Sequence, residues 1–253
     1  MRRIVLITVQ SALLALGLFL LLPLLADAAP ALHAGGPDAF GYTFKDSNEP
    51  GGPTYAWEEI STSGTLATGW NSYDDGYAGP FPIGFDFNYY GADYSELYIG
   101  TNGFLSFGEG SGAIPGGTLP QIYSPNNDIA LFGGDMYLYD YSTVSTVHYQ
   151  TLSNPTRFVV QFTNLHYCCG LNTPHTLQAI LYPNGDIQAQ YKLLNGTSTS
   201  YVGIENSTGT DGLGYGVLLS DNLAIRYVYP SGVYLSPARQ TRFGVAGAEI
   251  THQ

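Results

Sequence analysis

Large apolar residues alternate with polar or small ones over much of this chain, which is the pattern of β-strands that bury one face. The stretch SELYIGTNGFLSF (95–107) alternates on both sides of a central Thr-Asn-Gly. The strictest run places an apolar residue at every second position, at Phe81, Ile83, Phe85 and Phe87. Four large side chains on one face of a strand predict a sheet that packs against another layer.

Turn residues separate the alternating segments. Asn102-Gly103 predicts a hairpin with a tight primed turn, so Asn102 needs no catalytic explanation. Residues 183–186 (Pro-Asn-Gly-Asp) predict a second hairpin between TLQAILY and IQAQYKL. Further strands are predicted around Tyr55, Trp57 and Ile60, and at 128–133, 144–150, 156–163, 176–183, 186–192, 200–204, 214–219 and 224–229.

These short strands predict an all-β protein with one antiparallel β-sandwich or jelly-roll-like domain at residues 41–230. No segment after the first 28 residues shows a convincing helical period. Residues 29–40 (APALHAGGPDAF) have no alternation and are expected to form a flexible lead-in. Residues 231–253 are expected to form a C-terminal extension.

The first 28 residues have the composition of an export signal. Arg2 and Arg3 precede an apolar run at 4–25, and the run ends in Ala26-Asp27-Ala28. We expect cleavage after residue 28 and a secreted, extracellular protein without a membrane segment. A membrane anchor is the rival interpretation, since the run is nearly long enough to span a bilayer.

The charge of the chain narrows the range of partners. It has 20 acidic and 8 basic residues, for a formal net charge of −12. Nucleic acids and anionic membranes bind clustered Lys and Arg, so neither is expected as a partner. An extracellular protein or a glycan remains compatible with this charge.

Several segments together resemble a known module. They are PIGFDFNYYGADYSELYIGTNGFLSFG, PNNDIALFGGDMY, RFVVQFTNL, TLQAILYPNGDIQAQY and VGIENSTGTDGLGY. In this order they resemble a β-sandwich module of secreted bacterial proteins, which is partly similar to the nidogen-type extracellular domain. The resemblance covers about residues 41–230, implies the fold, and carries over no catalytic residues. The module usually has a Trp and an acidic pair after the position of Ile129, where this chain has FGGD (132–135), so a role that depends on that pair is not implied.

The most unusual local motif is LHYCCGLNTPHT, in which Cys168 and Cys169 are adjacent. In an oxidising compartment an even number of cysteines favours a disulfide. A vicinal bridge is strained, because adjacent Cα atoms lie about 3.8 Å apart. Free or intermolecular thiols, or a soft-metal site that includes His166 or His175, are the other possibilities.

Acidic residues in the predicted turns include Asp74, Asp75 and Asp135. Ca²⁺ binds several carboxylate and carbonyl oxygens of flexible loops, so a calcium site at these residues is a hypothesis. The competing interpretation is that Asp-Gly pairs simply form turns. No other cofactor is expected.

Tyrosines are the remaining candidates for ligand contact. Exposed tyrosines can stack on sugar rings or anchor a protein partner, although cross-strand tyrosine pairs also stabilise sheets. The ligand-binding candidates are Tyr89, Tyr90, Tyr137, Tyr139 and Tyr141.

These observations favour a secreted, non-catalytic binding or adhesion module for a cell-surface, matrix or carbohydrate partner. A structural subunit of an extracellular assembly is the second hypothesis. A secreted hydrolase is the third, and it lacks a sequence signal for paired acid and base residues.

Overall fold

A computed structural model describes residues 33–138, 144–168, 174–195 and 201–231 of the protein. These residues form fifteen β-strands, which are arranged in two layers. No helix is present among these residues. The predicted signal peptide and residues 232–253 of the predicted C-terminal extension lie outside them. The strands are β1 (Ala34–Gly35), β2 (Thr43–Asp46), β3 (Thr65–Leu66), β4 (Tyr77–Tyr89), β5 (Ala92–Gly100), β6 (Phe104–Ser106), β7 (Asp128–Gly133), β8 (Met136–Tyr137), β9 (Thr146–Leu152), β10 (Arg157–Tyr167), β11 (His175–Leu181), β12 (Ile187–Leu193), β13 (Tyr201–Glu205), β14 (Gly212–Gly214) and β15 (Leu223–Val228).

The strands form two antiparallel sheets, which confirms the predicted all-β sandwich. The first sheet has the order β1-β2-β15-β12-β11-β10-β9-β3, and β8 also pairs with β10. The second sheet has the order β14-β13-β7-β6-β5-β4. Most neighbours in each sheet are close in sequence, so the fold consists largely of hairpins and meanders.

One hydrophobic core fills the space between the sheets, and it takes residues from both. Ile83 and Phe87 of β4 are fully buried, as are Val160 of β10 and Leu177 of β11. The hydroxyl of Tyr191 in the first sheet donates a hydrogen bond to the Leu131 carbonyl of the second, at 2.7 Å. The alternation of apolar residues in β4 therefore correctly predicts that one face of this strand is buried.

The segment around residues 53–60 is a predicted strand that the structure does not contain. It lies against the first sheet, but its backbone pairs with glutamine side chains instead of with a neighbouring strand. These side chains come from adjacent strands, which makes a short ladder of amides. The hydrogen bonds join Ala56 N to Gln190 Oε1 (2.7 Å), Glu58 N to Gln178 Oε1 (3.1 Å) and Ile60 N to Gln161 Oε1 (3.0 Å).

The hairpin turns differ in part from the prediction. The connection between β5 and β6 has three residues, and Gly103 (φ +80°) has a positive φ while Asn102 does not, so the primed turn predicted there is wrong. The two-residue primed turn is at Tyr90-Gly91, where both residues have positive φ and connect β4 to β5. The hairpin around residues 183–186 is confirmed.

Two further boundaries differ from the prediction. Residues 33–40 are not a flexible lead-in, because β1 pairs with β2 and the backbone N–H groups of Ala39 and Phe40 donate to the Asp211 carboxylate. The predicted strand 214–219 is replaced by β14, which ends at residue 214. The first difference depends on Asp211, which is distant in sequence, whereas β14 pairs with the preceding strand β13.

Candidate binding surface

Two of the aspartates that the sequence suggested as metal ligands lie together in the structure. A carboxylate oxygen of Asp74, a carboxylate oxygen of Asp135 and the Cys168 Sγ all lie within 4.8 Å of one another. Asp75 is the neighbour of Asp74, and its carboxylate accepts a hydrogen bond from Asn102. The fold thus brings together two acidic residues, Asp74 and Asp135, that are 61 positions apart in the chain.

Backbone pairing positions these residues. Asp74 forms an isolated antiparallel bridge with Tyr137, and the Leu138 N–H donates to the Tyr73 carbonyl at 2.8 Å. The Cys168 N–H donates to the Asp135 carbonyl at 2.8 Å, next to the pairing of β8 with β10. Three segments therefore meet at one surface.

Asn102 connects this surface to the core, and the sequence prediction missed that role. Its side chain is completely buried. Nδ2 donates to the Asp75 carboxylate (2.9 Å) and to the Ala113 carbonyl (3.2 Å), while Oδ1 accepts from the Met136 N–H (2.7 Å). The Asn102-Gly103 pair is the sequence signal that could have indicated this role, but the same pair is also typical of a solvent-exposed turn.

The accumulated negative charge affects Asp74. Partial burial, followed by the negative charges of Asp75 and Asp135, raises the pKa of Asp74. Such a field favours a cation or hydroxyl donors from a ligand. The prediction that Asp74, Asp75 and Asp135 bind calcium stays a prediction.

Two tyrosines flank the aspartates. The side chain of Tyr73 is 64% exposed, and Tyr137 is half-buried with its ring centroid 6.1 Å from that of His166. We call the surface formed by Tyr73, Asp74, Asp75, Asp135 and Tyr137 the tyrosine–aspartate surface. The candidates Tyr139 and Tyr141 lie outside the described residues.

Tyr89 and Tyr90 do not form an exposed platform, so this part of the prediction is wrong. Tyr89 is fully buried, and its hydroxyl lies 2.5 Å from the Asp128 carbonyl and 3.0 Å from the Glu205 carbonyl. The Tyr90 hydroxyl donates to the Asp38 carboxylate at 2.9 Å, and its ring packs against other aromatic rings. Both rings therefore face protein instead of forming an exposed surface.

The cysteine motif is described only in part. Cys168 is disulfide-bonded, whereas Cys169 lies outside the described residues, so the vicinal bridge stays a prediction. A sulfur in a disulfide is not a thiolate ligand, which removes the soft-metal interpretation for Cys168 in this state. His166 and His175 are both buried, and burial followed by the charge of His166 lowers the pKa of His175 to about 4.

Two clefts lie elsewhere on the second sheet. The larger has a volume of about 600 Å³ and is lined by Leu119, Tyr201 and Tyr215 together with several glycines. The smaller cleft has a volume of about 300 Å³ and lies beside Phe40 and Tyr90. The lining of the first cleft contains no charged side chain.

Comparison with known families agrees with this architecture. A family model described as NIDO related matches residues 41–222. No curated protein and no solved structure gave a significant match. In the described ranges, no helix has the length and apolar character needed to cross a membrane. The chain therefore belongs to the nidogen-related family, whose domain is an extracellular-type module.

Proposed function

We propose that this protein is a secreted, non-catalytic binding module that contacts a glycan, cell-surface or matrix partner through the tyrosine–aspartate surface. The observation that carries this proposal is the cluster of the Asp74 and Asp135 carboxylates, next to the exposed Tyr73 in the chain. Membership of the nidogen-related family supports the extracellular setting.

The chemistry of the surface suits a sugar. A tyrosine ring can stack on the apolar face of a sugar ring, and its hydroxyl offers a hydrogen bond. Carboxylates accept hydrogen bonds from sugar hydroxyls, and charged acceptors make stronger bonds than neutral ones. The net charge of −12 favours neutral or basic partners over anionic ones.

The hypothesis of an assembly subunit receives less support from the sheet edges. Sheet edges mediate association when they are long and unblocked. The edge strands β1 and β3 have two residues each, and the long edge strand β4 contains Pro80 and Pro82. Short edges and prolines, which lack an N–H donor, discourage the addition of another strand.

A glycan array and solid-phase binding to a panel of purified matrix proteins test the proposal. We expect saturable binding by the wild-type protein and a loss of roughly tenfold or more in affinity for Tyr73→Ala and Tyr137→Ala, as expected when an aromatic contact is removed. Tyr98→Ala is the matched control, because Tyr98 is also half-buried but lies on β5 against Tyr77. Thermal unfolding of each variant verifies that it is folded.

Two results would contradict the proposal. One is the absence of saturable binding by the wild-type protein to either panel. The other is a ligand whose affinity is unchanged in Tyr73→Ala, Tyr137→Ala and Asp135→Asn, since such a ligand binds elsewhere.

A further inference from the structure

A second acidic group lies inside the protein, between the second sheet and the segment that covers it. Asp128 of β7 and Glu205 of β13 are direct cross-strand partners, and both are fully buried. The Glu205 carboxylate accepts hydrogen bonds from the Gln121 N–H at 2.8 Å and from the Tyr201 hydroxyl at 3.1 Å. The segment before β7 therefore folds onto the acidic pair.

The Asp128 carboxylate has no hydrogen-bond donors of this kind. Neither of its carboxylate oxygens receives a hydrogen bond from any described residue, although both are buried. Burial, followed by the negative charge of Glu205 and a hydrogen bond between the two carboxyl groups when Asp128 is protonated, raises the pKa of Asp128. Two buried carboxyl groups in contact are costly unless a proton or a cation lies between them.

Asn126 adds an independent observation, because one terminal atom of its side-chain amide is surrounded by oxygens. This atom lies 2.9 Å from the Gln121 carbonyl, 3.1 Å from that of Tyr123, 3.2 Å from that of Pro125 and 3.0 Å from Glu205 Oε1. The oxygen and nitrogen of an amide are assigned from their surroundings. The other terminal atom of the amide faces only donors, so a nitrogen among the four oxygens gives both ends hydrogen-bond partners. Its two hydrogens still cannot donate linear bonds to all four oxygens.

If the atom is the amide oxygen, five oxygens lie close together, and among the described residues only the Tyr201 hydroxyl donates to one of them, Glu205 Oε1. This arrangement is typical of a site for a hard cation, since Ca²⁺ takes six to eight oxygen ligands at roughly 2.3–2.6 Å. Neighbouring oxygens around such an ion are roughly 3 Å apart. Gly209 closes the group on one side, because a Cβ there would lie 1.9 Å from the Gln121 oxygen and 2.6 Å from Asn126 Oδ1.

We propose that this group is a calcium site. Its ligands are the side-chain oxygens of Asn126, Asp128 and Glu205 and three carbonyl oxygens of the covering segment, those of Gln121, Tyr123 and Pro125. Two carboxylates balance the charge of the ion, and the ion supplies the partner that Asp128 lacks. The ion holds the covering segment in place. Ile122 and Tyr123 of this segment are 64% and 72% exposed.

The site is distinct from the predicted calcium ligands Asp74, Asp75 and Asp135, and the experiment separates the two. Full-length protein is treated with EDTA and dialysed, and it is then titrated calorimetrically with CaCl₂. Thermal unfolding is measured in 10 mM CaCl₂ and in EDTA, with MgCl₂ as the comparison ion. We expect a saturable heat and a rise of roughly 5 °C in Tm with calcium, and a smaller rise with magnesium.

The variants locate the ion. Glu205→Gln is expected to lose the calcium-dependent rise in Tm, whereas Asp74→Asn and Asp135→Asn, the matched controls, keep it. Asn126→Asp is the decisive variant, because the carboxylate retains an oxygen ligand and adds a charge. It is expected to be less stable than the wild type in EDTA and to regain that loss in calcium.

Three outcomes would overturn the proposal. The first is a wild-type protein that shows neither a heat nor a rise in Tm with calcium. The second is a rise that disappears in Asp74→Asn or Asp135→Asn but persists in Glu205→Gln. The third is an Asn126→Asp variant that is destabilised equally with and without calcium, since Asn126 is then an amide donor and the acidic pair shares a proton. None of these readouts depends on glycan or protein binding by the tyrosine–aspartate surface.

Discussion

Replacement of Asn102 by alanine tests whether the tyrosine–aspartate surface is attached to the core as the structure indicates. The change removes three hydrogen bonds of a fully buried side chain. It also leaves the N–H of Met136, a fully buried residue, without its acceptor. An intramolecular hydrogen bond contributes about 1 kcal/mol, and an unsatisfied buried group costs about 1–3 kcal/mol.

We therefore expect Asn102→Ala to lower the free energy of unfolding by about 3 kcal/mol. For a domain of this size the corresponding fall in Tm is roughly 6–12 °C. Urea unfolding followed by tryptophan and tyrosine fluorescence measures the midpoint and the m-value. An unchanged m-value assigns the shift in the midpoint to stability.

Asn48→Ala is the matched control, because Asn48 is exposed and lies in a loop after β2. A surface change of this kind is expected to stay within about 0.5 kcal/mol. Asn102→Asp adds a second comparison: it keeps an acceptor for Met136 but places a negative charge against Asp75, so it should also destabilise. If Asn102→Ala loses less than about 1 kcal/mol, the buried side chain does not join the loops to the core, and the reasoning fails.

Three further predictions concern the rest of the sandwich. Gln178→Ala removes two hydrogen bonds to the Glu58 backbone and the one that Gln190 Nε2 donates to Gln178 Oε1, and it is expected to cost about 3 kcal/mol in urea unfolding. Gln150→Ala, at a more exposed position, is expected to cost less than about 1 kcal/mol, and equal costs would argue against the amide ladder. His175 is neutral in the folded state with a pKa of about 4, so the unfolded state takes up the proton first as the pH falls below about 6.5. The stability of the wild type relative to His175→Asn should then fall by up to about 3 kcal/mol between pH 6.5 and 4, and a pH-independent difference would contradict the assigned pKa. Because Cys168 is disulfide-bonded, a bridge within one chain predicts a monomer on gels with and without reductant, and a dimer that disappears on reduction would show that chains are cross-linked.

Local sequence signals correctly predicted the strands whose conformation depends on neighbouring residues. Strand β7 has the predicted bounds 128–133, and the apolar alternation of β4 faces the core as expected. These features depend on a two-residue period and on turn-forming residues, both of which can be read within a short window. The hairpin around residues 183–186 follows from the same local information.

The local signals failed where a distant partner decides the conformation. The segment at 53–60 alternates like a strand, but its backbone bonds to glutamine side chains more than 100 positions away. The sequence predicts Tyr89 to be an exposed aromatic residue, yet the strand pairing places its hydroxyl against the Asp128 and Glu205 carbonyls. Neither arrangement leaves a signal in the neighbouring residues.

The sequence alone determined the all-β class, most strands and the acidic character of this protein, because side-chain period, turn chemistry and net charge are properties of neighbouring residues or of composition. The tertiary structure alone decided which acidic groups meet. Sheet order and register place Asp128 beside Glu205 and bring Asp74 to Asp135. The physical reason is that electrostatic and hydrogen-bond partners depend on distances of a few ångströms, which are set by the packing of segments far apart along the chain.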